Sequence, residues 1–153
     1  MLGYLLHKAS FYQMRYVECN FNELLSNLES AFPVTFPEDV SDVKAAKTRL
    51  IEGTIHFVVR FNAEPIAVDR FLDSFPRGSS FEIEQYKPAT DPRKHRHLWP
   101  APKWFTRPIQ QGKTVYYHPG SREMDICVDI TAQKSFLVYA KGRFLRKDYK
   151  PKP

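Results

Sequence analysis

Cysteine is scarce in this chain of 153 residues, which contains only Cys19 and Cys127. The two lie far apart in the sequence and no CxxC pair is present, so the sequence indicates no disulfide framework. We expect two free thiols in a reducing compartment, and a single long-range disulfide is the alternative.

Long hydrophobic runs are absent, and no segment approaches the roughly 20 consecutive apolar residues that span a membrane. Residues 1–7 are mildly apolar, but they are too few for the hydrophobic part of a signal peptide, and no basic residue precedes them. We therefore expect a cytoplasmic protein without a membrane span, or an extracytoplasmic one if a signal peptide was removed before residue 1.

Familiar catalytic motifs are missing as well, since the sequence has no GxGxxG, P-loop, HExxH or GxSxG pattern. His118 precedes Ser121 by three residues, but no nearby pattern of histidine and aspartate suggests a catalytic triad. The sequence thus favours a protein that is not an enzyme, and it predicts no cofactor.

The composition itself is that of a folded domain. Apolar residues make up 42% of the chain and aromatic residues 14%, which is typical of globular proteins, and the length fits a single domain covering residues 1–153. The charge is uneven, because residues 1–76 hold 7 Lys/Arg and 10 Asp/Glu whereas residues 77–153 hold 16 and 7. This asymmetry would allow a polyanion or nucleic acid to bind the second half.

Alternating apolar and polar residues, or a high content of strand-forming residues, predict six strands. They lie at residues 11–18, 54–61, 80–86, 114–117, 124–130 and 135–139. Gly142 is expected to mark the end of the last strand, and Pro119 with Gly120 predicts a type II turn in which Gly120 has a positive φ.

Helical spacing of apolar residues predicts two helices. The first is capped by Asn20 and ended by Pro33, and the second covers residues 66–75. Residues 38–52 fit either a helix or a hairpin turning at Glu52 and Gly53. The predicted fold class is therefore α+β, a two-layer domain with an antiparallel sheet of about five to six strands and two helices packed on one face.

A long loop rich in proline and tryptophan, residues 87–108, is the main candidate for binding. Prolines stiffen it, and aromatic or cationic side chains on a rigid loop can contact a protein or peptide partner. The candidate binding residues are Trp99, Trp104, Phe105, Arg107, Arg93 and Arg96. The alternative is that the two tryptophans close an open end of the core.

A metal-dependent hydrolase is a second, weaker hypothesis. His95 and His97 would point the same way on an extended backbone, and Asp91 or His118 could complete a site, although the cations at positions 93, 94 and 96 repel a divalent metal. Asp125 and Asp129 flank Cys127 on one strand face, where carboxylates could serve acid–base chemistry if a substrate lay across the face. The sequence favours the simpler interpretation that this face is the solvent side of a half-covered sheet, with Cys127 as a small filler.

The C-terminal residues suggest further partners. Residues 146–153 are expected to form a basic, frayed tail that could contact phosphates, and a free sheet edge, for example residues 135–139, would allow a homodimer. The sequence thus leads to a small non-enzymatic binding or accessory domain that recognises a protein or peptide. The alternatives are a nucleic-acid-binding domain and a metal-dependent hydrolase.

Overall fold

A computed structural model of the chain describes residues 15–48, 53–76, 81–85, 102–105, 109 and 111–149, with the backbone path alone for residues 81–85. The described part contains two α-helices and seven strands, with these bounds: β1 (Tyr16–Glu18), α1 (Phe21–Ala31), β2 (Ser41–Thr48), β3 (Thr54–Ala63), α2 (Pro65–Asp73), β4 (Phe81–Gln85), β5 (Gly112–Tyr117), β6 (Glu123–Asp129) and β7 (Phe136–Leu145).

The strands form one sheet in the order β1-β2-β3-β7-β6-β5-β4, and every neighbouring pair is antiparallel. The predicted α+β class is confirmed. The sheet has one strand more than the six patterns in the sequence, because residues 38–52 contain β2. Pairing with β3 makes this segment a strand, because β2 supplies hydrogen-bond partners for the backbone N–H and C=O groups along that side of β3.

Helix α1 begins where the sequence predicts it. The Asn20 side chain accepts a hydrogen bond from the backbone N–H of Glu23 at 2.9 Å, which satisfies one of the free donors of the first turn. The helix ends at Ala31, because Phe32 is extended and Pro33 follows. Its apolar stripe, including the fully buried Leu28, packs on the sheet.

Helix α2 begins at Pro65, a favourable first position because proline has no N–H to leave unpaired. It ends at Asp73, two residues before the predicted end. Val68 and Phe71 are buried against the same sheet face as α1, which confirms that both helices lie on one side. Helical spacing places Ile66 on the apolar stripe of this helix, but its side chain is 57% exposed. Neither helix in the described residues is long and apolar enough to cross a membrane.

Strand β7 corrects two predictions. It continues to Leu145 instead of ending before Gly142, and it lies inside the sheet, hydrogen-bonded to β3 and β6. Residues 135–139 are therefore no free edge through which a homodimer could form. Gly142 is needed inside the strand, because a Cβ atom there would collide with the backbone oxygen of Glu123.

The turn between β5 and β6 has the predicted glycine but a different register. Gly120 has a φ of 69°, as expected. The backbone hydrogen bond joins Arg122 N to Pro119 O. Gly120 is therefore the first central residue of the turn and not the second. The first central position is the one that has a positive φ in a type II′ turn.

Both faces of the sheet are covered. The helix face carries the main core, with Phe57 and Phe61 at its centre. On the opposite face, a second cluster consists of Ala46, Val58, Phe105, Ile109, Cys127, Leu137 and Tyr139. Cys127 is 7% and Asp129 8% exposed, so the predicted solvent exposure is wrong at these two positions, whereas Cys127 does pack as a small side chain in this cluster. Cys19 packs on the helix side, and both cysteines are free thiols.

Part of the C-terminal segment is docked on the domain. Arg146–Asp148 forms a short 3-10 helix, and the Arg146 N–H donates to the Gly53 carbonyl at 2.9 Å. The Tyr149 hydroxyl lies 2.6 Å from Lys47 Nζ and 3.3 Å from Glu23 Oε1. Residues 146–149 are therefore held in place and not frayed, whereas residues 150–153 lie outside the described residues.

Candidate functional site

The described part of the loop rich in proline and tryptophan is a short turn that packs on the second cluster. Lys103–Phe105 forms one 3-10 turn. Phe105 is 1% exposed and meets the Tyr139 ring edge-on at 5.4 Å, so its side chain offers no surface to a partner. Trp104 is half-buried beside it. Trp99, Arg107, Arg93 and Arg96 lie outside the described residues, and their part in binding stays a prediction.

Arg60 on β3 fastens this turn to the sheet. Its Nη1 donates to the Trp104 carbonyl at 3.0 Å, and its guanidinium lies 5.9 Å from the centre of the indole ring. Its Nη2 donates to Asp42 Oδ1, also at 3.0 Å. Asp42 sits in a bulge of β2 with a φ of 50°, a left-handed conformation that aspartate tolerates better than most residues. The bulge and the turn are thus joined by one side chain.

The groups predicted for a hydrolase are partly placed. His118 Nε2 and Asp125 Oδ1 are 2.6 Å apart. Lys141 lies opposite Asp125 in the β6–β7 register and is 4% exposed. Asp129 accepts a hydrogen bond from the Thr131 N–H at 3.0 Å and so stabilises the turn after β6. In the described residues, no three histidine, cysteine or acidic side chains converge on a metal position. His95, His97 and Asp91 lie outside these residues.

Several cations of the basic half are engaged within the domain. Arg122 Nη2 lies 3.2 Å from Asp148 Oδ2, and Arg143 Nη2 lies 2.9 Å from Glu123 Oε1. These guanidinium groups are partly neutralised before any polyanion arrives. Binding of a nucleic acid remains a prediction. It concerns the cations of residues 93–97, Lys150 and Lys152, which are outside the described residues, and Arg146 and Lys147 of the short 3-10 helix.

An open groove of about 550 Å³ lies at the sheet edge, where α1 begins beside β2. It is lined by Glu18, Cys19, Asn20, Phe21, Asn22, Glu38, Val40, Val43, Lys44 and Ala45. β1 pairs with β2 at residues 46–48 and the Cys19 N–H donates to the Ala45 carbonyl at 3.1 Å, after which the chain turns into α1. Among the described residues, no strand pairs with the outer side of residues 41–44.

The groove has apolar and charged parts. Val43 is 38% exposed, which makes it one of three large apolar side chains with notable exposure in the described residues, together with Val17 and Ile66. Phe21 and Ala45 are buried and form its inner wall. The side chains of Glu18, Glu38 and Lys44 are exposed around it.

Cys19 in this groove is not an activated nucleophile. Burial raises the pKa of its thiol to about 11, while Lys47 lowers that pKa and Glu23 raises it by smaller amounts. At neutral pH the sulfur is therefore a thiol and not the reactive thiolate. The groove is thus suited to binding by contact and charge and not to cysteine chemistry.

Sequence reasoning missed the groove. Its residues come from two segments, 18–22 and 38–45, that no local pattern connects, and the second lies in the stretch whose secondary structure the sequence left open. Comparisons with models of protein families, with curated proteins and with solved structures found no match to this chain.

Proposed function

We propose that this domain is a small binding module that recognises a protein or peptide partner, and that the partner docks in the groove between β1, α1 and β2. The observation that carries the proposal is the groove itself, which lies beside a stretch of β2 without a neighbouring strand in the described part of the chain. Val43 is exposed at this same place.

The shape and size of the groove support a chain segment as ligand. Small-molecule sites typically enclose most of their ligand in roughly 300–1,000 Å³, and this volume falls in that range. Glu18, Val43 and Lys44 are exposed, however, so the site is a channel open to solvent. An open channel with a few apolar side chains suits the side chains of an extended peptide better than an enclosed small molecule.

The proposal moves the contact surface away from Trp104 and Phe105. The Phe105 side chain is buried in the second cluster, and Arg60 holds Trp104 against the sheet. Trp99, Arg107, Arg93 and Arg96 remain candidates for an additional contact, and nothing in the groove depends on them.

The test uses three blocked heptapeptides in which valine alternates with lysine, glutamine or glutamate. Each is titrated into the isotopically labelled full chain, and amide chemical shifts are followed by NMR. We expect at least one peptide to shift the signals of Val40, Val43 and Lys44 in a saturable way, because these residues line the groove.

Two variants make the test specific to the groove. Val43→Ser removes an exposed apolar side chain from it, and Ile66→Ser removes a more exposed one from α2. Binding should weaken in the first variant and persist in the second. The proposal fails if none of the three peptides shifts the groove signals, or if Val43→Ser binds as tightly as the unmodified chain.

A further inference from the structure

We infer that the partner of this groove is an extended segment that alternates cationic and aliphatic side chains, an inference that rests on the proposed function. The chemistry follows from which charges line the groove, which of them are already neutralised, and how β2 is shaped at its edge.

Carboxylates outnumber amines in the groove lining, with Glu18 and Glu38 against Lys44. Both glutamates are exposed, and no cation of the described residues forms an ion pair with either of them. Asp42, by contrast, already accepts a hydrogen bond from Arg60. Two carboxylates are thus available to a lysine or arginine of a partner.

The beginning of α1 opposes this preference only weakly. A helix N-terminus carries roughly half a positive charge, which favours an anion. Here the Asn20 side chain caps the first turn and the Glu23 carboxylate lies within it, so that partial charge is offset. The excess of carboxylates in the lining, Glu18 and Glu38 against Lys44, therefore sets the sign of the charge expected on the ligand.

The apolar part of the groove sets the second requirement. Val43 is exposed and Val40 is partly buried, and both line the groove. The aliphatic side chains of an extended segment would cover valine surface, and its cationic side chains, which leave the backbone on the other side, would meet the carboxylates exposed around the groove.

The bulge in β2 indicates contact through side chains and not growth of the sheet. Register shifts between Ser41 and Lys44, and Asp42 has a positive φ. Bulges at sheet edges twist the strand away from further pairing. The segment therefore lies along the groove without forming a long ladder on β2.

The experiment compares affinities of the lysine–valine, glutamine–valine and glutamate–valine peptides for the full chain. A variant combining Glu18→Gln and Glu38→Gln removes the groove charges. A matched variant, Asp69→Asn with Asp73→Asn, removes two exposed charges from α2. We expect the lysine peptide to bind tightest and to lose about fivefold in affinity in the groove variant only, since exposed ion pairs are individually weak. Added salt should reduce the same affinity.

The outcomes separate this inference from the function on which it rests. If the glutamine or glutamate peptide binds the groove as tightly as the lysine peptide, or if the groove variant keeps full affinity, the inference fails and the binding module stands. If no peptide shifts the groove signals, both fail. Sedimentation of the free chain tests whether a second copy of the chain occupies the groove. A dimer that Val43→Ser abolishes would assign the groove to that second copy and overturn the inference.

Discussion

Among single residues, Gly142 occupies the position with the least room for a side chain, since a Cβ atom there would overlap the backbone of Glu123 on β6. We expect Gly142→Ala to lower the free energy of unfolding by about 2 kcal/mol or more, because β6 must shift to admit the methyl group. Urea unfolding measures the effect. Gly53→Ala is the matched control, because its methyl group would meet nothing within 4 Å. Equal unfolding energies for the two variants would contradict the packing described for β7.

His56 makes the stability of the fold depend on pH. Burial lowers the pKa of its imidazole from 6.5 to about 4, with a further lowering by Arg143 and an opposing effect of Glu123. The folded pKa lies below the unfolded one, so unfolding takes up a proton between these values. The stability that the neutral ring contributes is complete above pH 6.5 and is lost as the pH falls toward 4.

The contribution of His56 can be isolated with His56→Gln. We expect the unmodified chain to lose more unfolding free energy between pH 6.5 and 4 than this variant does, because histidine at position 56 gains a proton on unfolding in that window and glutamine does not. Urea titrations at several pH values give both curves. Parallel curves over the whole window would rule out a buried neutral imidazole at position 56.

At the scale of elements, Arg60 connects β3, the bulge of β2 and the turn at residues 103–105. Arg60→Met keeps the aliphatic stem and removes the hydrogen bonds to Asp42 and to the Trp104 carbonyl. We expect a loss of about 1–3 kcal/mol of stability. In a Trp99→Phe background, the emission of Trp104 should shift to the red as the turn loosens.

Arg70→Met serves as the control for this prediction, because Arg70 is an exposed cation of α2. Its emission and stability should match those of the unmodified background. An Arg60→Met chain with unchanged Trp104 emission would mean that packing of Phe105 alone holds the turn.

The elements whose start, core-facing residues and end are all marked by nearby sequence could be predicted. The segment 38–52 and the position of β7 could not, because they depend on pairing with distant strands. Helix α1 has a cap at Asn20, apolar residues at helical spacing and Pro33 after its end, all close in the sequence. The apolar residues of segment 38–52 fit two structures, and only pairing with β3 selects the strand. The inner position of β7 is likewise a property of the assembled sheet, because its own residues do not identify its neighbours.

At the scale of the whole molecule, the sheet separates the two cysteines. Cys19 packs on the helix side and Cys127 on the opposite side, so they cannot meet in the folded chain. We expect both thiols to be found free by peptide mapping without reduction. Ellman's reagent should react slowly with the native chain, since the pKa of Cys19 is raised to about 11 and Cys127 is 7% exposed. Full reaction is expected in urea, and a peptide linking Cys19 to Cys127 would refute the topology.

The candidate site also belongs to this scale. Residues 18–22 and 38–45 form one groove only after β1 has paired with β2 and α1 has packed on the sheet. The loop residues are candidates because aromatic and cationic side chains lie close together in that part of the sequence. For Phe105 that adjacency was misleading, because a ring flanked by prolines can serve burial as well as recognition, and neighbouring residues do not distinguish the two.

The place of β7 in the sheet has a consequence for synthesis on the ribosome. β3 ends at Ala63, but its second edge can form hydrogen bonds only after β7, which begins at Phe136, has been synthesised. Throughout the intervening translation, Phe57 and Phe61 lack the strand that completes their layer, and an unpaired edge of this kind attracts other chains. A nascent chain therefore cannot complete this layer of the sheet until β7 has left the ribosome.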